Sequence, residues 1–325
     1  MSVRAGWRTA TIGGVVALPL AAGAANSATP SAATPVSTPT VQGLVAPGAK
    51  IKLVGRVQRR ATDLGYAEGP LWLSGGRLIV SDVYANAVLV FDATGKRGTF
   101  RRPSNVANGH ALDAHGSVVE ADAGDHTHHG QITRIASDGA VTVLADNFQG
   151  KHFNAPNDLI VKRDGTIWFT DPDYNQVTPA EIEFHGVYRL DPKTGSVTLV
   201  TKSLNEPNGI AFSPDQKTLY VSDTGFANIS AFPVRANGTV GAPHDIGENG
   251  DGCDGIAVDE RGDIWSSTCD AFIHVLTPAG KKIGEIEFPG ATTNLAWGGA
   301  NGKILFVTTG NGRIYSLALT VRASA

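Results

Sequence analysis

One strand-turn-strand unit recurs six times along this chain, and that recurrence limits the folds open to it more than any other property. The clearest copy lies within residues 154–174, where 159–162 and 166–170 are short β-branched and aromatic runs on either side of Arg163-Asp164-Gly165, a tight-turn sequence. The copies span 69–82, 109–122, 158–171, 209–223, 255–268 and 294–309, and each ends in Asp or Thr. Their turns fall near residues 75, 115, 164, 215, 261 and 301, so the period is about 40 to 51 residues, that of four-stranded propeller blades.

A third apolar run follows each pair, at 87–91, 130–135, 186–190, 229–233, 272–276 and 313–319. A fourth follows five of the six, at 97–101, 141–145, 197–201, 241–247 and 282–288. The sixth copy ends the chain without one, while a spare strand stands at the other end, at 50–57. The expectation is an all-β, six-bladed β-propeller whose last blade is closed by the N-terminal strand, an arrangement that leaves no open sheet edge. Two stacked β-sandwiches would leave the missing sixth strand unexplained.

Ahead of the blades, residues 1–28 read as a signal peptide: Arg4 and Arg8 precede an apolar run at 11–25, then small residues. The run is shorter than the ~20 residues of a membrane helix. Residues 29–48, rich in Ala, Thr, Ser and Pro, read as a flexible leader, and 49–325 as the propeller domain. The protein is thus expected to be exported, periplasmic or secreted, with no membrane association after signal cleavage. Nucleic acid is excluded as a general partner, because the formal charge is -3 and Lys and Arg are scattered. Cys253 and Cys269 are the only cysteines. Pairing about the turn Glu260-Arg261-Gly262 sets them opposite one another, so a cross-strand disulfide is expected in an exported chain, two buried thiols being the alternative.

Aligned on their first strands, the copies place one oxygen-bearing residue at each entrance: Glu68, Asn108, Asn157, Asn208, Asp254 and Thr293. Innermost propeller strands line the axis and start on one face, so these side chains are expected to converge. Each alone reads equally as a turn residue. Two carboxylates and three amides together suit a hard divalent cation, with Ca²⁺ favoured and Mg²⁺, Mn²⁺ or Zn²⁺ possible. The connections from second to third strands should surround that site. One carries His126, His128 and His129 after Asp125; another carries Asp173, Tyr174, Glu181, Glu183 and His185. The histidines suit substrate contact, a second metal site, or a solvated loop.

These residues sit in ordered motifs: Ala67-Glu68-Gly69-Pro70-Leu71-Trp72, Ala155-Pro156-Asn157-Asp158-Leu159, Trp168-Phe169-Thr170-Asp171-Pro172, Pro207-Asn208-Gly209-Ile210-Ala211-Phe212, and Cys253-Asp254-Gly255. Through them the chain, from about Glu68 to Leu319, resembles the gluconolactonase branch of the family that also holds senescence marker protein (regucalcin) and luciferin-regenerating enzyme. The resemblance implies a divalent metal held by Glu68, Asn208 and Asp254, with Asn157 contacting substrate and within reach of the metal. It also implies hydrolysis of a sugar lactone, the metal polarising the carbonyl while Asp254, the catalytic residue, assists attack by water. Asn108, Asn157, His128, His129, Asp173, Tyr174 and His185 are the candidate substrate contacts. The chain departs from the family at Ala155, where an Arg is known, in the loop bearing His128-His129, and at Pro172-Asp173-Tyr174-Asn175, where Pro-Pro-Tyr-Gly is common. Two other readings stand beside the lactonase: a non-catalytic propeller binding a metabolite or protein, and a phosphotriester or aryl-ester hydrolase. The identity of the lactone and the oligomeric state are not written in the sequence.

Overall fold

The structure is a computed structural model and describes residues 34–35, 41, 43–58, 63–174, 178–247 and 250–324. The expected signal peptide at 1–28 lies outside these residues, as does most of the stretch at 29–48. The remainder forms a six-bladed β-propeller. Blade 1 is the antiparallel sheet Ala67–Leu73, Arg77–Asp82, Ala87–Phe91 and Arg97–Arg101. The innermost strands of blades 2 to 6 are Ala107–Leu112, Leu159–Val161, Pro207–Phe212, Ile256–Val258 and Thr292–Gly298.

The last blade is completed by Lys50–Arg56, which pairs antiparallel with Arg313–Ala318 in the register Lys52↔Ser316 and Arg56↔Arg313. Thr34–Pro35 adds two residues outside that strand. Residues 41 and 43–48, which composition assigns to the flexible leader, pack instead on the sixth blade. Val41 and Leu44 are buried in its core, and the Thr320 hydroxyl bonds the Leu44 carbonyl at 3.1 Å. Two apolar side chains with a groove to fill outweigh the local preference of a small-residue stretch for disorder. The fourth strand of blade 4, expected over 241–247, shrinks to His244–Ile246, because Val240 bridges back to Val234 and Gly241 bonds Pro233.

The apolar residues divide by interface. Phe153, Phe169 and Tyr188 pack with Val119 and Ile132 between blades 2 and 3, and Trp168, Phe212 and Phe232 fill the next interface. Trp265, Trp297 and Leu305 join blades 5 and 6. Each such side chain contributes about 1.5–3 kcal/mol on burial, so the blades are held edge to edge by apolar contact. The axis is left to polar groups.

The hub is fastened differently. The Ser81 hydroxyl of blade 1 bonds the Asn108 carbonyl of blade 2 at 3.0 Å, and Thr170, Ser222 and Ser267 do the same for Asn208, Asp254 and Thr293. Thr293 closes the circle onto the Ala67 carbonyl at 2.7 Å. Blade 2 has Glu120 where the others have a hydroxyl, and there the Gly109 N–H bonds the Asn157 carbonyl at 2.8 Å. The Cys253–Cys269 disulfide is present, on two residues 5.7 Å apart at Cα. Ile256↔Ser266 and Val258↔Ile264 give the strand register expected about the 260–262 turn.

Candidate metal centre

All six entrance residues lie in the hub and are buried: Glu68, Asn108, Asn157, Asn208, Asp254 and Thr293. A backbone device turns them inward. In blades 1, 2, 4 and 6 the inner strand carries one extra residue at this point, with shifts between Glu68 and Leu71, Ala107 and His110, Pro207 and Ile210, and Thr292 and Leu295. Such a bulge re-aims a side chain and ends regular pairing, and a strand entrance beside a site is where it is useful. Gly69 takes φ +50 in the first of these, and a Cβ there would lie 1.9 Å from the Asn108 carbonyl oxygen.

The residue after each entrance position reveals a second layer. It is Gly in blades 1, 2, 4 and 5, but Asp158 in blade 3 and Asn294 in blade 6. A Cβ on Gly109 would stand 2.3 Å from Asp158 Oδ1, and one on Gly255 would stand 2.3 Å from Asn294 Oδ1. The glycines therefore make room for these two side chains. Asn294 Nδ2 donates to Glu68 Oε2 at 3.1 Å, and the same amide favours the charged form of Asp158, so one side chain acts on two buried acids. Sequence reasoning passed over Asp158 and Asn294; reading the next column of the same alignment would have exposed both.

The electrostatics are those of acids without a balancing cation. Burial pushes the Glu68 carboxyl up to about 8, against bonds from the Gly69 N–H and Asn294 that pull it down. Burial lifts Asp158 to about 7. Asp254 is raised well above the usual carboxylate range, first by burial and then by Glu68 and Asp158. Two amide oxygens of the ring, Asn108 Oδ1 and Asn208 Oδ1, are buried with no hydrogen-bond partner among the described residues. Asn208 spends its amino group on the Thr224 hydroxyl at 3.1 Å, so its oxygen stays available as an acceptor. Buried carbonyl-type oxygens are rarely left unpaired, since each costs about 1–3 kcal/mol. A hard divalent cation answers every one of these features: it neutralises the acids, takes amide oxygens as ligands, and needs neither His nor Cys. The residues fit such an ion.

Tyrosines wall the hub. Tyr66 is held well above its usual range by burial and by the charges of Asp254 and Glu68, and its ring lies 5.6 Å from that of Tyr84. Tyr174 Oη donates toward Glu206 Oε2 at 3.3 Å, and its hydroxyl is raised by burial foremost, with Glu206 and Asp254 adding to it. Asp173 and His185 stand with Tyr174: His185 Nε2 is 3.5 Å from Asp173 Oδ1, and His185 Nδ1 contacts the Asn205 carbonyl. Tyr66 and Glu206 went unread in the sequence, although each precedes an entrance residue by two positions.

The histidine loop is placed otherwise. The His128 side chain is 68% exposed and meets Asp125 Oδ1 at 3.4 Å and the Thr127 hydroxyl at 2.7 Å, within its own loop. His129 stacks on His152 instead of turning into the hub. Both were candidate substrate contacts, and neither joins the ring. Asp125 explains the first: its carboxylate gathers the Thr127 and His128 N–H groups at 2.8 and 3.0 Å, folding the loop on itself.

Residues 66–311 match the family described as the SMP-30/Gluconolactonase/LRE-like region. A gluconolactonase from Zymomonas mobilis is 30% identical over 282 residues, covering 76% of this chain and 77% of that protein. The solved structure of a gluconolactonase from Xanthomonas campestris superposes with a TM-score of 0.77 at 32% identity, over 90% of this chain and 99% of that one. A calcium-binding regucalcin from Agrobacterium tumefaciens shares the fold, with a TM-score of 0.67 at 21% identity over 82% of this chain and 95% of its own. With more than half its length matched and its hub built as described, the chain belongs to the SMP-30/gluconolactonase/LRE-like family.

Proposed function

We propose that this protein is a lactonase that opens a sugar lactone at the hub of the propeller, with a divalent cation, Ca²⁺ by preference, held by Glu68, Asn157, Asn208 and Asp254. The observation that carries this reading is the convergence of two buried acids with unpartnered amide oxygens from other blades. The gluconolactonases among its relatives supply the substrate class. When bound, the cation would supply Lewis-acid polarisation of a carbonyl and compensate the hub acids. The chain's own residues do the rest. Asp254 takes a proton from the attacking water, the acyl–oxygen bond of the ring breaks, and the departing ring oxygen is protonated to a hydroxyl. Tyr66 and Tyr174 narrow the hub above Asp254 and offer hydroxyls to a sugar.

The test is a turnover panel of an aldonolactone, an aromatic lactone and a phosphotriester, read with a pH indicator before and after chelation. Aldonolactone hydrolysis that falls away in chelator and returns with Ca²⁺ is the expected result. Undiminished activity in chelator would remove the cation from the reading, and turnover of the phosphotriester alone would replace the substrate class. We also place the protein outside the cytoplasm. The Cys253–Cys269 bridge supports an oxidising compartment, and fractionation of the native host for the full-length chain checks it.

A further inference from the structure

A second polar cluster stands apart from the hub ring, on the face where the inner strands begin, and it has different chemistry. His129 ends the connection between the second and third strands of blade 2. His152 lies on a small hairpin, Asn147–Phe148 paired with Lys151–His152, set between blades 2 and 3. Glu181 comes from the connection in blade 3 that also holds His185. One ligand atom from each of the three lies within 4.8 Å of the others. We propose that His129, His152 and Glu181 form a second metal site, one for a borderline divalent ion such as Zn²⁺, distinct from the all-oxygen hub.

Three features make this more than a chance meeting of surface groups. First, the backbone fixes the two histidines as neighbours. Gly130 and Phe153, the residues next to them, form an isolated antiparallel bridge, and Asn105 Nδ2 donates to the His129 carbonyl at 3.1 Å. The imidazole rings consequently lie 3.8 Å apart and 5° from parallel. Second, His152 Nδ1 lies 3.3 Å from the Asp146 carbonyl. Donation from Nδ1–H to that oxygen leaves the lone pair on Nε2, which is how a ligating histidine is held by its surroundings. Third, one oxygen of Glu181 is already engaged, accepting the His152 N–H at 2.9 Å, so the carboxylate is anchored to the hairpin that carries the second ligand. Its other oxygen has no bond among the described residues.

Two imidazoles and a carboxylate select a different ion from the hub. Nitrogen donors favour Zn²⁺, Ni²⁺ or Cu²⁺ over Ca²⁺ or Mg²⁺. Neighbouring donors of a tetrahedral zinc stand roughly 3.3 Å apart, so the cluster closes by at most about an ångström and a half on binding, with the stacked rings turning until both lone pairs meet the ion. Both histidines are half-buried and Glu181 is exposed, so the fourth position faces water and the ion can exchange. None of this depends on the hub reaction.

Full-length protein saturated with Ca²⁺ is titrated with Zn²⁺ by equilibrium dialysis, and separately with Co²⁺ and Cu²⁺ for their visible and electron-paramagnetic spectra. The expected result is tight Zn²⁺ binding, a tetrahedral Co²⁺ spectrum, and nitrogen hyperfine coupling on Cu²⁺. Affinity should fall by about tenfold or more in His129→Ala, in His152→Ala and in its more conservative companion His152→Gln, and remain in Glu68→Gln. Thermal melts without Zn²⁺ confirm that each variant is folded. Zn²⁺ binding unchanged in folded His152→Gln, or lost in Glu68→Gln while the histidine variants keep it, overturns the proposal.

Discussion

The hub takes its polar side chains from strands, whereas the cluster of His129, His152 and Glu181 takes its own from connections and a two-residue hairpin. The hub groups are buried, all-oxygen, and locked by hydroxyl-to-carbonyl bonds between blades, with the Gly109 N–H completing the circle between blades 2 and 3. The outer groups are half-open, nitrogen-rich, and held by a single backbone bridge and a few bonds. The lesson is one of repetition. Devices repeated in most blades position the chemistry common to the fold, and the unrepeated segments between strands carry what belongs to this chain.

That contrast breaks first under substitution of ligands. Asp254→Asn should lower kcat/KM for the lactone by about a thousandfold or more, since it removes the proton acceptor and a buried charge together. His129→Ala, outside the ring, should change it by less than about threefold. Near-native circular dichroism in both makes the comparison fair. Equal losses would show that the outer cluster belongs to the reacting centre after all.

The next largest effect concerns packing at the hub against packing at a turn. Gly255→Ala would set a Cβ 2.3 Å from Asn294 Oδ1 and 2.8 Å from its Cα, displacing the amide that donates to Glu68. A loss of about 2–3 kcal/mol is expected from such overpacking. Gly165→Ala, at a turn with φ +87 and nothing near the new atom, should cost only about 1 kcal/mol, from backbone conformation alone. Urea denaturation of the two variants gives the difference directly, and equal values would mean that the hub gives way more easily than its contacts imply.

How much of this the sequence discloses follows from the same division. The blades, their closure by 50–57 and the ring of entrance residues were all legible, because an alignment of repeats turns weak local signals into a column. The bulges were not. An extra residue opposite Ser81 or Val221 leaves no composition signal, and it is the bulge that turns Glu68 and Asn208 toward the axis. The role of His152 was illegible for another reason: the Asn147–His152 hairpin has no counterpart in the other blades, so nothing in the period points to it. His128 shows the converse: its residue type makes it a candidate substrate contact, and only the structure reveals that Asp125 curls the loop so that the side chain faces water.

The smallest expected effect tests the ion pair that joins Arg101 of blade 1 to Glu120 of blade 2 beside the ring. His110 is buried below the ring, with Nδ1 2.6 Å from the Gly69 carbonyl and Nε2 3.5 Å from the Ser81 hydroxyl and 3.6 Å from Glu120 Oε1. Its pKa is lowered, chiefly because burial disfavours the imidazolium, with the Arg101 charge acting in the same direction and Glu120 and the Gly69 carbonyl opposing them. The unfolded chain therefore takes up a proton near pH 6.5 that the folded chain refuses, so His110 contributes full stability above pH 6.5 and loses it as pH falls through its folded value. The loss approaches about 1.4 kcal/mol for each pH unit between the two pKa values. The buried acids run the other way: Asp171, raised to about 7 by burial, favours folding below its unfolded pKa and loses that advantage as pH rises toward 7. Only the difference between wild type and His110→Gln isolates the histidine. Urea denaturation of both proteins at pH 7.5 and 5.5, with Ca²⁺ present throughout, should show wild type losing more stability on acidification than the variant. An equal loss would mean that Glu120, despite its bond to Arg101, accepts the protonated ring, and that the ionic fastening of blade 2 is as indifferent to pH as the hydroxyl fastenings of the other blades.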